Sequence, residues 1–197
     1  MFYDTRSNAH GLRHDPFKAL VAPRPIGWIS TLRPDGTVNL APYSFFNAVA
    51  EDPPYVMFSA SAGKDSQRNA EASGEFVCSL ATYPLREAMN ATSAAEPWDV
   101  DEMLLAKIDA APSRLVKPPR VAASPAALEC RYWQTVTPPS RSPAGYSIVI
   151  GEVVGIHIDD RFIVDGMVDT VAMLPIARLG YTDYSVVDKK FSLRRPR

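Results

Sequence analysis

The chain has 197 residues, 46% of them apolar, and a formal net charge of −1, which fits one globular domain and gives no electrostatic reason to expect nucleic acid or an anionic membrane surface as a partner. It contains no apolar run of the about 18 residues that a bilayer span needs, and its start, MFYDTRSNAHGLRHD, has no apolar signal core, so a cytoplasmic protein is expected. The 18 prolines argue against a helical bundle and for many short connections.

Residues 1–22 read as an irregular arm, with Phe17, Leu20 and Val21 available to pack onto the body. The apolar run Ile26 to Leu32 meets a turn at Pro34-Asp35-Gly36 and returns through Val38-Asn39-Leu40, the pattern of a β-hairpin. Tyr43 to Val49 reads as a strand or an extended loop, broken by Glu51-Asp52-Pro53-Pro54, and Tyr55 to Ser59 as a second strand. Asp65 to Glu71 is a short helix candidate ended by Gly74, with Asp65 or Ser66 placed to cap its free N–H groups. Phe76 to Leu80 is a further strand, and Leu85 to Thr92 and Asp101 to Ile108 read as helices with Pro84 and Asp101 at their starts. Pro112 to Pro125 is a proline-rich loop, Leu128 to Thr137 an alternating strand, and Pro138 to Gly145 a polar turn. The longest strand, Ser147 to Asp159, puts Ile148, Ile150, Val154, Ile156 and Ile158 on one face, and Val149, Gly151, Val153, Gly155 and His157 on the other. Two glycines on one face leave room for something to approach the backbone. A basic tail follows residue 185. Cys78 and Cys130, both in apolar strand-like runs, read as reduced core residues. The whole is one mainly β domain, a barrel with short helical insertions.

Several chemistries find no residues to carry them. The chain lacks G-x-S-x-G and G-x-G-x-x-G, so neither a nucleophile elbow nor a Rossmann dinucleotide site is expected. His10, His14 and His157 do not have metal-ligand spacing, and no metal is expected. Two stretches do suggest a ligand. From Ser59 a strand passes through a Gly-containing turn into a helix start, with Lys64, Ser66 and Arg68 within one turn. A phosphate site and a capped surface helix both fit this segment. Trp28, Ser30, Thr31, Tyr43, Ser44, Phe46 and Asn47 combine aromatic rings, hydroxyls and an amide, which suits a planar heteroaromatic ligand or a core whose polar groups tie down loops.

The ordered set PRPIGWIST (residues 23–31), NLAPYSFFNAV (39–49), DPPYVMFS (52–59), GKDSQRN (63–69), GEFVCSL (74–80), VKPPRVAASPAALEC (116–130), GEVVGIHIDD (151–160) and LPIARLGYTDY (174–184) extends over most of residues 20–184. By it the chain resembles the flavin reductase-like, FMN-binding split-barrel proteins. The resemblance implies a six-stranded split barrel, a homodimer, and FMN at the subunit interface, with FAD as the alternative cofactor. It implies that Trp28, Ser30 and Thr31 lie beside the flavin, that Tyr43, Ser44, Phe45, Phe46 and Asn47 pass along the isoalloxazine edge, and that Ser59, Lys64, Asp65 and Ser66 surround the phosphate. His157 matches the residue placed near the nicotinamide or the flavin face, the one catalytic candidate. Arg178 and Tyr181 match the segment that closes over the site. The family often writes that segment RLGG; here Tyr181 stands in place of the second glycine.

The activity implied is hydride transfer from NAD(P)H to flavin, with reduced flavin passing to a partner such as a flavin-dependent monooxygenase. Two alternatives share the barrel: a flavoredoxin-like FMN electron carrier without direct NAD(P)H use, and a non-catalytic ligand-binding module.

Overall fold

The computed structural model describes residues 1–196. The expected hairpin forms: β1 (Gly27–Leu32) runs antiparallel to β2 (Val38–Tyr43), with Ser30 opposite Leu40. The turn closes through Arg33 N–H to Thr37 O at 3.0 Å, and Asp35 Oδ1 accepts the Thr37 N–H at 2.9 Å. Gly36 takes a φ of +88°, a conformation that a residue with a Cβ adopts only at a cost. The remaining strands are β3 (Phe46–Glu51), β4 (Pro54–Ser61), β5 (Glu75–Leu80), β6 (Ala126–Val136) and β7 (Tyr146–Ile158). They join one antiparallel sheet in the order β2-β1-β5-β6-β7-β4-β3. This main sheet has seven strands where six were expected. The stretch after Tyr43 divides at Ser44-Phe45, and its second half pairs with β4. The mainly β class stands. Farther along, β8 (Ile176–Arg178) lies between Arg24–Pro25 and β9 (Tyr184–Val186) in a small second sheet.

Among the described residues four α-helices lie outside the strands: α1 (Phe17–Leu20), α2 (Asp65–Ser73), α3 (Arg86–Ala91) and α4 (Glu102–Leu105). Gly74 ends α2 at φ +75°, its N–H bonding Ala70 O, as the sequence anticipates. Helix α4 is shorter than the expected Asp101–Ile108, and Lys107, at φ +53°, turns the chain out of helical geometry.

Strand β1 is buried on both faces and separates two apolar clusters. Ile29 packs with Phe58, Phe76, Cys130 and Val149; Trp28 packs with Leu40, Met89, Val121 and Ile176. Cys78 and Cys130 are free and buried, as expected. Strand β7 corrects one expectation. Its buried face is the one carrying Ser147, Val149, Gly151 and Val153, while Ile156 on the opposite face is 61% exposed. The gap at Gly151 belongs to the protein: a Cβ there would lie 2.4 Å from the Phe76 ring. At Gly155 a Cβ would meet Glu129 and Leu115 at 3.4 Å. The glycines therefore admit neighbouring side chains of the chain itself. Among the described residues, no helix is long and apolar enough to cross a membrane.

Candidate functional site

A crevice of about 650 Å³ opens between the N-terminal arm and the loop that separates β2 from β3. Phe17, Leu20 and Val21 form one wall, Ser44 to Asn47 the other, and Met57, Ser59 and Ile148 the floor. The three arm residues do not seal onto the body, as anticipated, but stay 57%, 77% and 47% exposed at the lip. What holds the arm in place is Arg24. Its buried guanidinium donates to Lys18 O, Val21 O and Leu179 O, the last at 2.7 Å, joining the arm to the C-terminal segment. Burial, and then the nearby charge of Arg178, lowers the Arg24 pKa.

Ser44 also lines a smaller space of about 130 Å³, which leads inward past Arg178, Tyr184 and Ser93. The Arg178 guanidinium lies 4.5 Å from the Tyr184 ring centroid and donates to the Tyr184 hydroxyl and, at 2.5 Å, to Tyr181 O. Tyr181 has a φ of +57°. The backbone conformation that favours glycine is thus present although the glycine is not, at a cost of about 1 kcal/mol. The preceding Gly180 has a separate reason: a Cβ there would fall 2.5 Å from Ala19 Cβ, so the arm packs against it.

Pro42 and Ser93 also line a third space of about 350 Å³ at the start of α2, together with Asn39, Tyr43, Gly63, Lys64 and Asp65. The expected cap by Asp65 or Ser66 does not form. Lys64 occupies the N-cap position in extended conformation, and no side chain caps the helix. The first amides of α2, with their partial positive charge, therefore open beside an ammonium group. Tyr43 is half-buried; desolvation, partly offset by the nearby Ser66 hydroxyl, pushes its phenol up to about 12.

Some of the expected site residues lie elsewhere. Trp28, Ser30 and Thr31 are fully buried. Trp28 Nε1 donates to Thr92 Oγ1 at 2.9 Å, the Ser30 hydroxyl donates to Pro119 O, and Thr31 Oγ1 accepts from Asn39 and Asn69 at 3.2 and 3.1 Å. β1 is a central strand covered on both faces, so these groups cannot reach the crevice. Ser66 is likewise buried and accepts from Asn39 Nδ2 at 2.8 Å. His157 sits nine residues along β7 from Ile148, about 30 Å at strand rise. Its Nε2 pairs with Glu129, whose buried carboxylate also takes the N–H groups of Arg114, Leu115 and Val116 at 2.7, 2.6 and 3.2 Å. Within this chain, that pair fastens the loop before β6 and lies away from the crevice. Tyr43, Ser44, Phe45, Phe46, Asn47, Ser59, Lys64, Asp65 and Arg178 do line these three spaces. The sequence reading passed over Arg24, Ser93 and Glu129. A carboxylate inside the apolar run Ala126 to Cys130 was the one available signal.

The sequence profile of the flavin reductase like domain matches residues 20–169. The chain belongs to this family. An uncharacterized protein of Deinococcus radiodurans is 37% identical over 190 residues, covering 90% of this chain and 82% of that one. Nitrilotriacetate monooxygenase component B from Bacillus cereus superposes with a TM-score of 0.88 at 28% identity over 98% of both chains. The 2-nitrobenzoate 2-nitroreductase NbaA of Pseudomonas fluorescens gives 0.87 at 25% identity, over 100% of this chain and 96% of that one. The flavin reductase-like domain thus carries a crevice whose donor set fits a flavin mononucleotide. Its apolar walls suit a ring, its hydroxyl and amide groups suit a ring edge, and an uncapped helix start with Lys64 suits a phosphate.

Proposed function

We propose that this protein is an FMN-dependent oxidoreductase that takes reducing equivalents from NAD(P)H. The observation that carries the proposal is three neighbouring spaces that share lining residues: an apolar crevice and a small space bearing Arg178 share Ser44, and the small space shares Pro42 and Ser93 with the pocket at the uncapped helix start bearing Lys64. Their sequence of apolar, polar and cationic linings matches the ring, ribityl chain and phosphate of one ligand. When bound, a flavin would supply the hydride-accepting redox chemistry. The chain's task is to bind and orient. Ser44 to Asn47 offer hydroxyl, amide and backbone groups along one wall. Arg178, held by Tyr184 and the Tyr181 carbonyl, would hold the polar chain between ring and phosphate. The exposed α1 side chains screen the opening from water.

The reading extends to a homodimer, with FMN, or FAD in its place, at the subunit boundary. Val49, Trp133, Val136 and Ile156 are 55%, 58%, 39% and 61% exposed on β3, β6 and β7, apolar surface that a second copy would cover. Light scattering that gives a monomer mass removes this part of the reading. Reduced flavin would serve a monooxygenase partner in the cytoplasm. The activity is tested by mixing the protein, FMN and NADH or NADPH without oxygen. Bleaching of the flavin absorbance with either donor supports the proposal, and an unchanged spectrum with both rejects it.

A further inference from the structure

The helix-start pocket poses an electrostatic problem. Besides Lys64 it is lined by three carboxylates, from Asp65, Glu96 and Glu102. Left uncompensated, they repel a dianion. Two of the three have a guanidinium nearby. Arg68 Nη1 lies 3.9 Å from Asp65 Oδ1, and Arg33 Nη2 lies 3.9 Å from Glu102 Oε1. Both guanidinium groups stack on one indole: the Trp98 ring centroid is 5.0 Å from Arg33 and 5.8 Å from Arg68.

Arg33 is the unusual member. Its side chain is 1% exposed, and its Nε, Nη1 and Nη2 have no hydrogen-bond partner among the described residues. A buried guanidinium normally satisfies its fork of donors. Here the face of Trp98 and the charge of Glu102 hold it instead. Glu102 is itself fixed, its Oε2 accepting the Leu40 N–H at 3.0 Å.

We propose that Arg33, Trp98 and Arg68 form a charge-neutralising stack that lets the pocket at the start of α2 accept a phosphate dianion. The proposal rests on the reading that the flavin phosphate binds beside Lys64. Arg33 is a positioning residue in it. It cancels Glu102 from behind the wall, and Trp98 keeps both cations in place. The one carboxylate left uncompensated, Glu96, then faces Lys64 and the α2 amides.

The test is calorimetric titration of FMN and riboflavin at pH 8, where a phosphate monoester is a dianion. The wild-type protein, K64A, R33M, W98L, E102Q and R33M/E102Q are compared. In wild type, FMN binds more tightly than riboflavin. R33M lowers that ratio about tenfold and W98L about threefold, through FMN alone. E102Q leaves the ratio equal or higher, and R33M/E102Q returns it to near wild type, which a merely structural role for Arg33 does not do. If R33M does not fold, E102Q and W98L decide: a ratio lowered by E102Q, or unchanged in W98L, overturns the proposal. Equal binding of FMN and riboflavin by wild type overturns the phosphate reading itself. Discrimination lost in K64A but intact in R33M and W98L overturns only the stack.

Discussion

Inside the barrel, Thr31 accepts from two asparagines, the Ser30 hydroxyl reaches Pro119 O, and the Trp28 indole finds Thr92. At the helix-start pocket, α2 has Lys64 at its N-cap and no capping side chain. A second helix sharpens the contrast: α4 begins at Asp101, whose Oδ1 accepts the Leu104 N–H at 3.0 Å. One helix closes its own amides and the other leaves them open next to a cation. The same residue types thus serve two ends. Where both faces of a strand are covered, polar groups must pair within the chain, because an unpaired buried donor costs about 1–3 kcal/mol. Where solvent or a ligand can reach, they are free to stay open.

Several substitutions test this division, the largest expected effect first. Glu129→Ala removes the acceptor for three backbone amides and for His157, and should destabilise the fold by about 3–5 kcal/mol in urea unfolding. A loss under about 1 kcal/mol means the interior does not depend on closed pairing. The same carboxylate predicts a pH effect. Burial pushes it up, but hydrogen bonds from His157 and the Arg114 and Leu115 amides outweigh this and leave it below its ordinary value. Folding then favours the ionised form. The stability it contributes is present above its unfolded pKa of about 4.3 and is lost as pH falls through the lower folded value. Unfolding midpoints between pH 7 and pH 3 should show the wild type losing more than Glu129→Gln.

Lys64→Asp gives α2 the kind of cap that α4 has. FMN affinity should fall about a hundredfold, or about 2.7 kcal/mol, while the ligand-free protein gains thermal stability. Retained FMN affinity would place the phosphate elsewhere. Gly151→Ala drives a Cβ into the Phe76 ring and should cost about 1–3 kcal/mol with the FMN dissociation constant unchanged. Weaker FMN binding without loss of stability would return that strand face to the ligand. Tyr181→Gly relieves the positive φ and should raise stability by up to about 1 kcal/mol. A drop in melting temperature would mean that the ring's contact with His14, at 5.5 Å between centroids, matters more than its backbone.

Much of this was legible in the chain. The turn at Pro34-Asp35-Gly36, the helix ended by Gly74 and the strands at Tyr55 and Phe76 each follow from local backbone preferences, and the fold shows them near their expected limits. The wall at Ser44 to Asn47 and the cation at Lys64 were named beforehand as well. The errors share a cause. Alternation along β1 and β7 says which residues share a face, not which face is covered. The residues alone leave Trp28, Ser30 and Thr31 open between ligand and core, the family resemblance places them beside the flavin, and the glycines of β7 read as an opening.

Sequence by itself determined the elements, their order and the family, because turn residues, strand period and helix stops act over a few neighbouring residues. The tertiary structure decided which polar groups face the crevice. It also decided that Arg33 and Arg68, from separate elements, meet on Trp98, and that Glu129 holds His157. Those relations depend on chain segments distant in sequence being packed together, and burial, which sets the strength of each charge and hydrogen bond, exists only after that packing.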